Sequence, residues 1–189
     1  MNQAVLRLIE LSGGSALILF TSYEALRSAY AASCEVLRGM DILCLKQGDD
    51  ERSRLLNRFL EEKTSVLFAT DSFWEGVDAP GDTLRLVIIC RLPFRTPSDP
   101  VYEARSEAVE ALGGSSFMEL SLPEAVMKFK QGFGRLMRRS SDRGVVAVLD
   151  GRILKKNYGR LFLGSLPETK NSFSGFTAML RDVENFLYP

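Results

Sequence analysis

Five short apolar runs, each ended by polar or turn-forming residues, constrain this chain most. They cover residues 15–20, 41–45, 65–69, 84–90 and 144–150. Each is too short for a helix and apolar without alternation, as in a strand buried on both faces. Between them lie segments of helical periodicity. These are residues 1–11, residues 23–37, a segment opening at Gly48-Asp49-Asp50 and running through Arg54, Leu55, Phe59 and Leu60, and residues 101–112. Ser121-Leu122-Pro123-Glu124 reads as an N-cap, a first-turn proline and a dipole-complementing acid. A last helix is expected at 176–186, and residues 113–120 carry no clear signal. Strands alternating with helices predict one α/β domain over 1–189, its mostly parallel central sheet covered by helices on both faces. Ligands of such sheets sit at the carboxyl ends of strands. Thr21-Ser22-Tyr23, Thr70-Asp71-Ser72 and the segment from Arg91 to Phe94 have that position.

Charge and composition exclude more than they assign. The 24 basic and 24 acidic residues cancel, so net charge is silent about a nucleic-acid partner. Locally, Lys128, Lys130, Arg135, Arg138, Arg139 and Arg143 cluster, and Arg85, Arg91 and Arg95 form a looser group. A solvated helix face also looks like this. There is no histidine, which excludes His triads, His metal sites and His general bases. Cys34, Cys44 and Cys90 are widely spaced and form no CxxC pair, so neither a disulfide scaffold nor a cysteine metal site is expected. No apolar run approaches the roughly 18 residues of a membrane span, and residues 1–7 lack a signal-peptide layout. A cytoplasmic setting without a membrane partner is the expectation.

The segment Gln131-Gly132-Phe133-Gly134-Arg135-Leu136-Met137-Arg138-Arg139 is chemically the most informative. In a continuing helix, Gln131, Arg135 and Arg138 fall at i, i+4 and i+7 on one face. One amide and two guanidiniums then make a fork for a polyanion such as a nucleotide's terminal phosphate. Gly132 and Gly134 each cost such a helix about 1 kcal/mol relative to alanine. They fit a place where a backbone or ligand must come close.

Residues 70–81 follow the third apolar run and mix small polar groups, two acids, glycines and an exposed-looking Trp74. This is either ordinary turn chemistry or a loop sensing nucleotide and nucleic acid, with Thr70 on a phosphate oxygen and Asp78 on a ribose hydroxyl. The hydroxyls of Thr21 and Ser22 suit an anion at a helix N-terminus or a plain N-cap. Trp74 and Phe94 either stack on bases or pack in the core. Gly132-Phe133-Gly134 fails as a dinucleotide fingerprint because Met137 replaces the third glycine. Residues 145–150 fail as a Walker B strand because Gly151 stands where the glutamate belongs, and no glycine precedes a lysine anywhere. The phosphate-loop Gly-Lys pair is therefore absent. Arginines arranged for a terminal phosphate without a phosphate loop imply a site shared by two domains, one gripping the nucleotide and magnesium, the other bringing an arginine finger.

Four blocks resemble, in order, motifs of the second motor domain of superfamily-2 DNA helicases of the DinG/XPD type, closest to the bacterial DinG branch. Leu17 to Tyr23 resembles motif IV. Phe73 to Gly81, continued by Arg91-Leu92-Pro93-Phe94 and Asp99-Pro100, resembles motif V. Gln131 to Arg138 resembles motif VI. Asp142-Arg143-Gly144 through Asp150-Gly151-Arg152, then Tyr158-Gly159-Arg160 and Ser165-Leu166-Pro167, resemble the family's C-terminal end.

The resemblance implies a three-layer RecA-like fold and a role in an ATP- and magnesium-dependent 5′-to-3′ DNA helicase. Arg138 would be the arginine finger, Arg135 its γ-phosphate partner, and Gln131 a positioner of the γ-phosphate or attacking water. Glu75, Gly76 and Asp78 would couple nucleotide state to DNA grip. Thr21, Ser22 and Thr70 would hold the single-stranded DNA backbone, with Trp74 and Phe94 as further DNA-side contacts. The first motor domain, with its phosphate loop and any iron–sulfur cysteines, is missing from this chain. The helix starting abruptly before the first block suggests an excised fragment rather than half of a split enzyme. On this reading the partners are single-stranded DNA and the N-terminal motor domain, and the chain alone hydrolyses no ATP. The alternative is a non-catalytic nucleic-acid-binding or regulatory module, which has no use for the fork of Gln131, Arg135 and Arg138.

Overall fold

The computed structural model describes residues 1–74, 83–95, 99–136 and 143–188, apart from the Asp71 side chain. Five strands form one parallel sheet: β1 (Ala16–Leu19), β2 (Leu43–Lys46), β3 (Ser65–Ala69), β4 (Leu86–Ile89) and β5 (Val145–Val148), in the order β2-β3-β1-β4-β5. β1 is central, with Leu17 level with Leu67 of β3 and Val87 of β4. Period-2 geometry splits each apolar run between two faces. Leu17, Leu19, Leu67, Val87 and Ile89 enter one core with Leu55, Phe59 and Phe129. Ala16, Ile18, Phe20, Val66 and Ile88 enter the other with Leu8, Leu26 and Leu187.

The eight α-helices assigned among the described residues are α1 (Asn2–Ser12), α2 (Tyr23–Arg38), α3 (Arg52–Glu61), α4 (Pro100–Ala111), α5 (Leu122–Phe133), α6 (Arg152–Lys155), α7 (Gly159–Gly164) and α8 (Phe176–Leu187). α1, α2 and α8 cover one face, and α3, α5 and α7 the other. The expected three-layer α/β architecture is what is observed. No described helix is long and apolar enough to cross a membrane.

Local chemistry moves three expected boundaries. Asp41 takes a left-handed turn (φ 57°), so β2 starts at Leu43 and not at 41. Gly48, at φ 98°, turns the chain, and α3 starts at Arg52. Ser121 is not an N-cap. Its backbone is helical (φ −60°, ψ −48°) with no side-chain cap bond. It ends a π-helical turn, Phe117–Ser121, and its hydroxyl bonds the Tyr102 hydroxyl.

Candidate functional site

The carboxyl ends of β1, β2 and β3 meet at one corner, and Gln47 ties them together. Its amide oxygen accepts the Thr70 backbone N–H at 2.6 Å and the Thr70 hydroxyl at 3.1 Å. Its amide nitrogen donates to the Tyr23 hydroxyl at 2.6 Å and the Ser72 hydroxyl at 3.0 Å. Sequence reasoning missed Gln47. The available signal was its place just after a parallel strand, where such sheets put their ligands.

Of the residues expected on the DNA side, Thr21, Ser22 and Thr70 lie at this corner. Ser22 caps α2, accepting the Ala25 N–H at 3.3 Å, so the plain N-cap reading holds for it structurally. Thr21 is half-buried. Thr70 is 4% exposed. Trp74 corrects an expectation: it is neither exposed nor open to a base, but fully buried. Its indole N–H points to the Phe20 carbonyl at 3.4 Å, and the Lys128 ammonium lies 5.8 Å from its ring centroid.

Trp74 also explains Gly132. A Cβ there would stand 2.8 Å from Trp74 Cε3 and 3.2 Å from Leu19 Cδ1. The glycine admits an indole, where the sequence suggested a backbone or ligand. The ends of β1 and β3 and the last turn of α5 are thus joined through one ring.

α5 ends at Phe133 with Gly134 as C-cap, so the expected single helical face from Gln131 to Arg138 stops short. Gln131 lies in the last turn of α5 and Arg135 in the turn that follows. They still meet, because Arg135 Nε donates to the Gln131 carbonyl at 2.9 Å. The expected helix geometry of Arg138 cannot be followed: Arg138, with Glu75, Gly76 and Asp78, lies outside the described residues.

Phe94 packs in a separate aromatic group. It stacks on Phe117 at 5.8 Å and meets Tyr158 and Phe162 edge-on at 5.6 and 5.8 Å. The Arg152 guanidinium lies 5.3 Å from its ring centroid. Arg152 is held by Asp150, whose Oδ2 accepts Arg152 NH2 at 2.6 Å and the Leu92 N–H at 2.9 Å. Burial by itself would raise the Asp150 carboxyl, but the Arg152 guanidinium and the Leu92 and Arg152 N–H groups outweigh it and hold the group below its usual range. Asp150 therefore fastens the loop after β4 to the end of β5. Glu124, expected to complement the α5 dipole, also bridges Arg95 at 3.1 Å and Arg105 at 3.3 Å.

The three cysteines are free and buried. Burial pushes the Cys90 thiol up to about 12, so it carries no thiolate at neutral pH.

The model of the family described as the helicase C-terminal domain matches residues 5–169. The ATP-dependent DNA helicase YoaA of Haemophilus influenzae is 43% identical over 173 residues, 91% of this chain and 26% of that protein. The ATP-dependent helicase DinG of Mycobacterium tuberculosis is 46% identical over 163 residues, 86% of this chain and 24% of that protein. The chain thus spans about a quarter of the length of these relatives. Among solved structures, S. cerevisiae Dbp5 bound to RNA and ADP BeF3 superimposes with a TM-score of 0.58 at 19% identity, covering 98% of this chain and 42% of that one. S. tokodaii Xpd4 gives 0.56 at 21% identity, covering 87% and 32%. These two likenesses establish the RecA-like α/β fold. With the family match over residues 5–169, they bear out the expected resemblance: the chain belongs to the helicase C-terminal domain family, among relatives of the DinG and YoaA type.

Proposed function

We propose that this chain is the C-terminal motor domain of an ATP-dependent 5′-to-3′ DNA helicase, and that it works against an N-terminal motor domain outside it. The observation that carries this reading is the Trp74 junction. It joins Phe20, which leads into the DNA-side hydroxyls of Thr21 and Ser22, to Gly132, beside the phosphate-side Gln131. A shift of α5 on nucleotide binding is thereby passed to the β1 end through close packing rather than a flexible loop.

Bound ATP supplies the phosphoryl group that is transferred, with magnesium held by the other domain. On this chain, Arg138 and Arg135 donate to the phosphate oxygens where charge develops. Gln131 orients the γ-phosphate or the attacking water. Glu75, Gly76 and Asp78 relay nucleotide state, and single-stranded DNA takes the corner of Thr21, Ser22 and Thr70. A cytoplasmic location accords with this work.

The test is Arg138→Ala in the protein carrying both motor domains. ATP hydrolysis falls by about a thousandfold or more, and DNA binding is retained. Normal turnover in that variant overturns the arginine-finger assignment, and intact DNA binding without any wild-type hydrolysis favours a non-catalytic module.

A further inference from the structure

The corner at Gln47 allows its hydrogen-bond protons to be assigned. The Thr70 backbone N–H can only donate, and it lies 2.6 Å from one end of the Gln47 amide. That end must be the oxygen. The Thr70 hydroxyl, 3.1 Å from the same oxygen, must donate to it as well. Thr70 therefore spends both its donors inside the protein, and its side chain is buried.

The other end of the amide is the NH2, whose two protons go to Tyr23 Oη and Ser72 Oγ. Both hydroxyls accept from Gln47 and keep their own protons. Both are exposed, Tyr23 by 47%. Phosphate oxygens accept and never donate, so only hydroxyls with a proton to give can bind them. The Arg52 guanidinium donates to the Ser72 carbonyl at 3.3 Å, which puts positive charge beside the pair.

We infer that Tyr23 and Ser72 are the phosphate-backbone donors at this corner, and that Gln47 is the positioning residue that turns their protons outward. Thr70 is an internal strut. The inference rests on the nucleic-acid-binding reading above and reassigns its contacts.

Gln47→Glu tests the proton assignment. One carboxylate oxygen still accepts from Thr70. The other now accepts where the NH2 donated, so the Tyr23 and Ser72 protons turn inward. The probe is a labelled oligothymidylate, titrated with the full chain and followed by anisotropy, with thermal unfolding of each variant as control. Tyr23→Phe and Ser72→Ala each raise Kd about three- to tenfold, the scale of one net hydrogen bond. Thr70→Val leaves Kd nearly unchanged. In the Gln47→Glu background, Tyr23→Phe has no further effect, a non-additivity that added negative charge alone does not produce. The proposal is overturned if Thr70→Val weakens binding as much as Tyr23→Phe, or if Tyr23→Phe costs the same in both backgrounds. Should Gln47→Glu fail to fold, the Tyr23, Ser72 and Thr70 variants still decide. A wild-type chain that ignores the probe overturns the nucleic-acid reading itself, whereas one that binds but is indifferent to Tyr23→Phe and Ser72→Ala overturns only this assignment.

Discussion

Gly132 lies against the indole of Trp74 so closely that its missing Cβ would stand 2.8 Å from the ring carbon Cε3. The indole is fully buried. Gly132→Ala should therefore destabilise the chain although alanine favours helix by about 1 kcal/mol. Overpacking of this kind costs about 1–3 kcal/mol, leaving a net loss of about 1 kcal/mol. Urea unfolding followed by circular dichroism measures it, and an unchanged or raised midpoint means the ring can move aside.

Asp150→Asn keeps the shape but turns an NH2 donor toward partners that only donate, at Leu92 and Arg152. An unmet buried donor costs about 1–3 kcal/mol. The expected result is a lower unfolding midpoint with an unchanged m-value.

The same carboxylate predicts an acid response. Its folded pKa is depressed, so its contribution is fully present above the unfolded value near 3.9. It is lost as pH falls through the still lower folded value. Below about pH 4 the wild-type chain should lose stability more steeply than Asp150→Asn, as paired pH titrations of the unfolding midpoint would reveal.

Alone, this chain should hydrolyse no ATP, with or without DNA, because the proposed function gives it only half of the nucleotide site. A phosphate-release assay on the purified chain decides the point, and robust DNA-stimulated release rules out the two-domain reading.

Cys44 and Cys90 are buried, with thiols pushed to about 12, mainly by burial. At pH 8 they should resist a thiol-specific reagent in the native chain and react on unfolding. Rapid native labelling at either position contradicts the burial described.

The sheet was legible because buried parallel strands leave continuous apolar runs, and β3 was placed to the residue at Ser65–Ala69. The end of α5 was not legible. Periodicity carries through Arg138, but Gly134 ends the helix, and a glycine can equally sit inside one at modest cost. Trp74 stood open between base stacking and core packing because a Trp among glycines and acids looks exposed, and its burial against Gly132 of α5 arises only in the tertiary structure. Gln47 had its place after β2 as a signal, but not its role, which lies in Thr70, 23 residues away. That proximity exists only once β2 and β3 are in register. Asp150 was set aside for lacking a glutamate neighbour, and its link to Leu92 was hidden because Leu92 follows the neighbouring strand β4, far away in sequence.

Trp74 is the chain's only tryptophan. Its position between Phe20 and Gly132 makes the protein its own optical gauge: near-ultraviolet emission excited at the indole band reports the packing where the carboxyl end of β1 meets α5. Any ligand that changes that packing writes its effect into a single, label-free spectrum.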